Sequence, residues 1–341
     1  MYKNRVQWID SLKGFAIISV VLGHAILAYL YSGEMFENPK MLLVIVRNLI
    51  YAFHMPLFYM ISGYVFEIAY IEKEDKDTIG RIKRQILNLL IIYFVYSVLY
   101  GVLKLMSTSY VNNGISWKDL ILIPFKPIEQ YWYLYVLIEL YFLFIFDKIR
   151  TIKPIILITI SGIASLVSGF LPTISWFSIS YFIFNTFFFC VGMKFTWIKQ
   201  SYNKKTFGYL YKLMIISMLI CTTYFLFINE YIRTKPLLNC IIAFSLSLMI
   251  WKIFENYANR HIIKFFAPIG KYSLEIYLIH SFIISGLKSF MFKIQIDNYY
   301  ICILICTSFG IFIPILISLI AKKIGIHNFF FKPVHYLKKV H

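Results

Sequence analysis

Acidic residues are scarce in this sequence, with 16 Asp and Glu against 34 Lys and Arg in 341 residues. Long polar stretches are also missing, because 60% of the residues are hydrophobic. Soluble domains of this size are closer to half apolar. The composition therefore leaves no room for an appended water-soluble module. It predicts an all-α fold and a single integral-membrane domain over residues 1–341.

Cysteine is rare as well, and its positions exclude a disulfide framework. All five cysteines fall inside predicted membrane spans, so none is placed to pair in an outer loop. Cys302 and Cys306 share a helical face, but no histidine or further cysteine lies nearby in sequence, which favours packing over a metal site. The first apolar run lacks a small-residue cleavage site and carries Lys13 and His24, so it is not a cleavable signal peptide.

Ten apolar runs are long enough, or nearly so, to cross a hydrocarbon core of ~30 Å. The fifth and sixth are separated by only four residues, 172–175. The sequence contains neither an internal repeat nor a low-complexity linker. The predicted spans are 11–32, 43–69, 86–106, 131–147, 154–171, 176–194, 209–228, 236–254, 272–291 and 299–321.

The net charge of +18 would suggest nucleic acid as the partner of a soluble protein. Here the basic residues follow membrane topology instead. With the N-terminus inside, 24 Lys and Arg residues fall in predicted cytoplasmic segments and nine in outer segments. This bias obeys the positive-inside rule and predicts that both termini are cytoplasmic. No nucleic-acid partner is expected.

Lys13 and His24 are the most informative pair in the sequence. They are eleven residues apart, and three turns of an α-helix cover about 10.8 residues, so both side chains share one face. Their separation along the axis is roughly 16 Å at ~1.5 Å per residue. Lys13 then lies at the water boundary and His24 near the middle of the bilayer. A titratable group at that depth is costly and indicates function.

Three other titratable residues fall near the middle of predicted spans, namely His54, Glu139 and His280. Their charged forms cost about 2.5–3.5 kcal/mol in a membrane, so burial against one another or around a wet cavity is favoured over exposure to lipid. A hydrogen bond to a neighbouring helix, at about 0.6 kcal/mol, is an equally good explanation for His54 or His280 taken alone. Glu139 is also explained as a structural partner of a histidine.

The polar groups at membrane depth suggest acyl transfer. An imidazole can act as a general base towards a hydroxyl or carry an acyl group briefly. Basic residues at the cytoplasmic mouth suit a polyanionic donor such as a coenzyme A thioester; they are Lys13, Arg81, Lys83, Arg84 and Lys271. The same pattern would serve a proton-coupled transporter, and topology alone explains Arg81, Lys83 and Arg84 equally well. A purely structural membrane subunit would not account for four ionisable groups in mid-span.

Four stretches of the sequence share the pattern of a known family. They are Ile9–Gly14 with His24, Phe53–Phe58 with Ser62–Tyr64, Trp132–Glu139, and Ile269–Ser273 with Tyr277–His280. In these residues the chain resembles the acyltransferase type 3 family, the polytopic bacterial enzymes that O-acylate sugars. The first two stretches are similar to the branch described as fucose 4-O-acetylase-like. Many members have Arg where this chain has Lys13, which offers a point charge in place of a bidentate fork.

The resemblance implies about ten helices in a bacterial plasma (inner) membrane, in contact with lipid. It implies acyl-CoA as the cytoplasmic donor, with acetyl-CoA expected, and a surface or lipid-linked glycan as the acceptor. O-acetylation would then belong to polysaccharide biosynthesis, with no metal required. His24 is the expected base or acyl carrier, and Lys13 orients it or steadies donor phosphate. Further expected site residues are the cavity members His54, Glu139 and His280 and the donor contacts Arg81, Arg84 and Lys271. A glycan exporter without covalent chemistry is the alternative.

Overall fold

The computed structural model describes residues 7–30, 41–72, 77–106, 114–201, 236–296 and 298–334, together with positions 208, 212 and 216. Within these ranges the chain is helical and contains no strand. The all-α prediction is therefore confirmed for the described part. Helices suit long apolar runs because every backbone N–H and C=O is paired inside the segment, where lipid offers no partner.

The helices are numbered in chain order. A π-helix, Glu67–Ile71, continues α2, and 3₁₀ turns at Glu129–Tyr131 and Trp176–Ser178 precede α5 and α8. The α-helices are α1 (Gln7–Leu30), α2 (Met41–Phe66), α3 (Thr78–Met106), α4 (Trp117–Ile121), α5 (Trp132–Leu143), α6 (Asp147–Arg150), α7 (Pro154–Ser168), α8 (Ile179–Met193), α9 (Phe195–Ser201), α10 (Pro236–Asn256), α11 (His261–Gly270), α12 (Ser273–Lys293), α13 (Tyr299–Lys323) and α14 (His327–Phe331).

Seven helices in the described residues are long and apolar enough to cross a membrane. The helices α5, with 12 residues, and α7, with 15 residues, lie in the predicted fourth and fifth spans. Each is shorter than a ~30 Å core requires of a straight helix. The predicted seventh span, 209–228, lies outside the described residues apart from two isolated positions, so ten spans remain a prediction. The seven are Gln7–Leu30, Met41–Ile71, Thr78–Met106, Trp176–Met193, Leu237–Asn256, Ser273–Lys293 and Tyr299–Lys323.

A ten-residue helix lies between the predicted eighth and ninth spans. The segment expected to be a basic cytoplasmic loop before the ninth span forms α11. Ile263, Ala267 and Gly270 are buried at helical spacing, whereas Ile262 and Phe265 are exposed. A ten-residue amphipathic helix is too short to appear as a membrane span, yet it buries one face efficiently.

The chain divides into two compact units, and the first combines both ends of the sequence. It comprises Met1–His54, Val98–Leu120 and Trp251–His341. In this unit α1 packs against α11, α12 and α13. The approach of α1 to α11 is closest at two glycines, because a Cβ atom on Gly14 would overlap the Phe266 carbonyl and one on Gly270 would overlap the Asp10 carbonyl.

The second unit comprises Met55–Ser97 and Ile121–Ile250. Here glycines again permit close approach, since a Cβ on Gly63 would overlap the Phe189 carbonyl and one on Gly192 the Met60 carbonyl. Next to this contact, Lys194 Nζ lies 3.2 Å from both carboxylate oxygens of Glu67 in the π-helix. The pair is largely buried, which makes it a structural feature of this unit.

Candidate functional site

The first helix carries Lys13 and His24 on one continuous α-helix, Gln7–Leu30. Both side chains are half-buried. The unbroken helix supports the axial separation of roughly 16 Å expected from ~1.5 Å per residue. Lys13 and His24 therefore occupy different depths of the same helical face.

His24 lies against His280 of α12. The two imidazole centroids are 5.1 Å apart, with 65° between the ring planes, which is an edge-to-face arrangement. His280 is completely buried, at 0% exposure. Gly310 of α13 makes room beside it, because a Cβ there would lie 2.9 Å from Val21 Cγ1 and 3.9 Å from His280 Cβ. Three helices thus surround His280, whereas His24 is half-buried.

The hydrogen bonds of His280 define its tautomer. Nδ1 lies 2.9 Å from the carbonyl oxygens of both Ile276 and Tyr277. A carbonyl only accepts, so Nδ1 carries the proton and donates. Nε2 is then an acceptor, and the Ser281 hydroxyl, 3.2 Å away, donates to it. These hydrogen bonds hold the His280 ring in place, and a neutral imidazole satisfies all of them.

The third histidine, His54, is anchored in the same manner. It is 4% exposed, and its Nδ1 donates to the Ile50 carbonyl at 2.7 Å. The Tyr51 ring connects it with His24. The Tyr51 centroid lies 4.9 Å from that of His54, at 67° between planes, and 6.3 Å from that of His24, at 20°. The structure therefore groups His24, His54 and His280 with Tyr51, a residue that the sequence did not single out.

Lys13 and Lys271 lie at the same end of the first unit. Lys13 precedes Gly14 and Lys271 follows Gly270, and these two glycines form the close contact between α1 and α11. Lys271 is exposed. Lys322 adds a third cation here, with its Nζ 4.2 Å from the centroid of the Tyr272 ring. This end therefore presents several basic groups.

Arg81 and Arg84, the other expected donor contacts, lie in the second unit and make internal interactions. Arg81 Nη1 donates to the Ala69 carbonyl in the π-helix at 2.9 Å, and its guanidinium lies 5.6 Å from the centroid of the Tyr70 ring. Arg84 Nη2 pairs with Asp77 Oδ2 at 2.8 Å in an exposed ion pair. This pairing lowers the pKa of the Asp77 carboxyl, chiefly through the hydrogen bond from Arg84.

Glu139 also belongs to the second unit, on α5. The side chain is half-buried, and its Oε2 is buried without a hydrogen-bond partner in the described part of the chain. A carboxyl group in such surroundings is costly, because its buried oxygen has lost its hydrogen bonds to water.

The histidine group is suited to proton transfer. Across the described ranges, no set of three or more His, Cys, Asp or Glu side chains is arranged to hold a metal ion. His54 and His280 are buried with Nδ1 bonded to backbone carbonyls, whereas His24 is half-buried and its ring lies against those of His280 and Tyr51. The arrangement can accept a proton from a bound group at His24.

The chain is similar to a known protein family over nearly its whole length. A family model described as an acyltransferase domain matches residues 6–319, which include all the expected site residues. No curated protein and no solved structure gives a match.

Proposed function

The chain belongs to the acyltransferase type 3 family of multi-pass membrane proteins, and on this premise we propose that it transfers an acyl group from acyl-CoA to a sugar hydroxyl. Acetyl is the proposed acyl group, as in the fucose 4-O-acetylase-like branch. The proposed acceptor is a surface or lipid-linked glycan, and the proposed location is a bacterial plasma membrane. The proposed topology has ten spans with both termini in the cytoplasm.

One observation carries the proposal. His24 is half-buried on a helix that also presents Lys13, and its ring lies 5.1 Å from that of the fully buried His280. A catalytic base must reach its substrate, and His24 meets this requirement better than His54 or His280. A buried histidine whose Nδ1 is bonded to a backbone carbonyl is suited to positioning a catalytic base, and less suited to accepting the substrate proton itself.

The proposed reaction uses the His24 imidazole as the general base. One ring nitrogen takes the proton of the sugar hydroxyl as the oxygen attacks the carbonyl carbon of the thioester. A carbon–oxygen bond forms and the carbon–sulfur bond breaks. The imidazolium then returns its proton to the CoA thiolate, so the products are the acylated sugar and CoA. His280 and His54 remain neutral and hold the surroundings of His24.

The basic end of the first unit supports an acyl-CoA donor. Lys13 and Lys271 offer cations for the nucleotide phosphates, and the positive-inside rule predicts that this end faces the cytoplasm. A donor bound there would extend its pantetheine arm along α1, over roughly 16 Å at ~1.5 Å per residue, to reach His24. Lys13 then steadies the donor, and His24 deprotonates the sugar hydroxyl that attacks the thioester carbonyl.

The test compares acyl content with export of the cell's glycan. We expect His24→Ala to lower glycan acylation by about 10²–10⁴-fold while export of unacylated glycan continues. The acyl content is measured by mass spectrometry, and His261→Ala serves as a control, because His261 is exposed on α11. A glycan exporter predicts the reverse, with glycan retained in the cell and normal acylation of whatever leaves it. That result would overturn the acyltransferase proposal.

A further inference from the structure

Tyr51 is the residue that joins the histidine group together. Its ring is offset-stacked on the His24 imidazole, with 20° between planes, and meets the His54 imidazole edge to face at 67°. Both centroid distances, 6.3 and 4.9 Å, lie in the range of favourable aromatic contacts. The His24 ring is therefore bounded by Tyr51 on one side and by His280 on another.

The glycine before His24 leaves space that the Tyr51 ring occupies. A Cβ atom on Gly23 would lie 3.1 Å from Tyr51 Cε2 and 3.0 Å from Ile50 Cγ2. These distances are shorter than ordinary van der Waals contacts, so the ring occupies the space that a side chain at position 23 would need. Two consecutive residues of α2 thus contact two different histidines. The Ile50 carbonyl accepts a hydrogen bond from His54 Nδ1, and the Tyr51 ring packs on the His24 ring.

We propose that Tyr51 is a positioning residue that fixes the plane of the His24 imidazole through its ring face. The predicted effect of Tyr51 on kcat rests on the proposed function. Its predicted effect on the orientation of the His24 ring does not. An imidazole that rotates out of plane directs its nitrogen lone pair away from the hydroxyl it must deprotonate. A base misplaced by about 1 Å can lose a hundredfold in rate.

Two substitutions separate the contribution of the Tyr51 ring face from that of its hydroxyl. Tyr51→Phe keeps the ring and removes the hydroxyl, whereas Tyr51→Leu keeps apolar bulk and removes the ring. We expect Tyr51→Phe to keep at least about half of the wild-type kcat, since the aromatic contact is retained. We expect Tyr51→Leu to lower kcat by about ten- to a hundredfold, with little change in the KM for acyl-CoA.

A matched control removes a different tyrosine from the same unit. Tyr100 of α3 is half-buried and meets Phe282 of α12 edge to face at 5.1 Å, without belonging to the histidine group. Tyr100→Leu therefore loses an aromatic pair of the same kind, and we expect kcat to stay within about twofold of wild type. Gly23→Ala gives a second approach, because the added methyl must displace the Tyr51 ring while Tyr51 itself is kept.

Chemical reactivity separates this proposal from the proposed function. Diethyl pyrocarbonate acylates imidazole nitrogens, and mass spectrometry of the purified protein reports its rate at the peptide containing His24. We expect faster modification of His24 in Tyr51→Leu and Gly23→Ala, and unchanged rates in Tyr51→Phe and Tyr100→Leu. This measurement needs no acyltransferase activity, so it remains informative if the enzyme reaction itself is not found.

The outcomes are distinct. Unchanged His24 reactivity and unchanged kcat in Tyr51→Leu would overturn the positioning role. A loss of kcat in Tyr51→Phe as large as that in Tyr51→Leu would assign the effect to the hydroxyl and would overturn it as well. If Tyr51→Leu does not fold, Gly23→Ala and Tyr51→Phe decide the matter, and wild-type reactivity and kcat in Gly23→Ala would then count against the proposal.

Discussion

Gly14 of α1 touches α11 at Gly270, and neither residue has space for a side chain. A Cβ on Gly14 would lie 3.1 Å from the Gly270 nitrogen, and one on Gly270 would lie 2.7 Å from the Gly14 nitrogen. Both glycines adjoin lysines of the proposed donor end. The close contact between the glycines therefore brings the backbones of Lys13 and Lys271 near each other.

Gly14→Ala tests this contact. The added methyl would overlap the Phe266 carbonyl, and since backbone cannot rotate away as a side chain does, we expect a loss of about 1–3 kcal/mol in the free energy of unfolding. Denaturation in detergent measures the change. Gly286→Ala is the control, because nothing lies within 4 Å of a Cβ there, and we expect it to be neutral or stabilising by up to about 1 kcal/mol. Equal effects of the two variants would contradict close packing at Gly14.

The buried pair of Glu67 and Lys194 predicts strong coupling. Glu67→Leu leaves the Lys194 ammonium without its carboxylate, and removal of one partner of a buried pair typically costs about 3–5 kcal/mol. We expect the double variant Glu67→Leu with Lys194→Met to be more stable than either single variant, because no uncompensated charge remains. A double-mutant cycle of unfolding free energies measures the coupling. Additive losses would show that the two groups act independently.

Arg81 and Arg84 should differ in their contribution to stability. Arg84 pairs with Asp77 at the surface, where such pairs contribute little, so Arg84→Ala should change the free energy of unfolding by less than about 1 kcal/mol. Arg81 donates to a carbonyl of the π-helix, and loss of a charged hydrogen bond costs about 1.5–3 kcal/mol. Chemical denaturation of the two purified variants is the measurement, and a reversed order would contradict this difference.

Donor binding should depend on the basic end of the first unit. We expect Lys13→Ala and Lys271→Ala each to weaken CoA binding by about fivefold at low salt, as for an exposed charge contact. The difference should shrink as ionic strength rises, because salt screens solvent-open charges. Calorimetry across a salt series measures it, with Lys293→Ala at the opposite end of α12 as the control. Unchanged affinity in both variants would assign these lysines to topology alone.

The proposed topology is open to a direct test. Reporter fusions placed after residues 110–125 should be external, and fusions after residues 200–206 should be internal. The expectation follows from the bias of basic residues towards predicted cytoplasmic segments, which governs orientation during insertion. Activity of paired reporters, one active on each side of the membrane, is the readout. A reversed pattern at either position would require a different set of spans.

The sequence predicted the helices of the site because their signals are local. Lys13 and His24 share a face through helical periodicity alone, and the apolar runs around His54 and His280 are long and unbroken. The amphipathic helix α11 was not predicted, since ten residues with Pro268 and Gly270 near the end resemble a loop. The helix buries Ile263, Ala267 and Gly270 on one face and packs against α1, a tertiary contact that the sequence did not predict.

Tyr51 shows most clearly what a single sequence leaves out. The chain has 27 tyrosines, and many lie near span ends, where interfacial aromatic residues are expected. Nothing in the composition separates Tyr51 from the rest. Its position depends on the space left by Gly23 on another helix, a tertiary relationship. Proximity to His54, three residues later on α2, was the only local signal available.

The first unit is built from both ends of the chain, so its helices are synthesised at widely separated times. The chain supplies α1 at the beginning of translation and α11, α12 and α13 near its end. His24 is therefore made long before His280, its ring partner on α12, and until then the side of His24 that faces His280 needs another covering, such as water or the insertion machinery. A ribosome that stops before α12 releases a chain with an incomplete set of histidines. On the proposed function, such a chain would lack the support that His280 gives to His24.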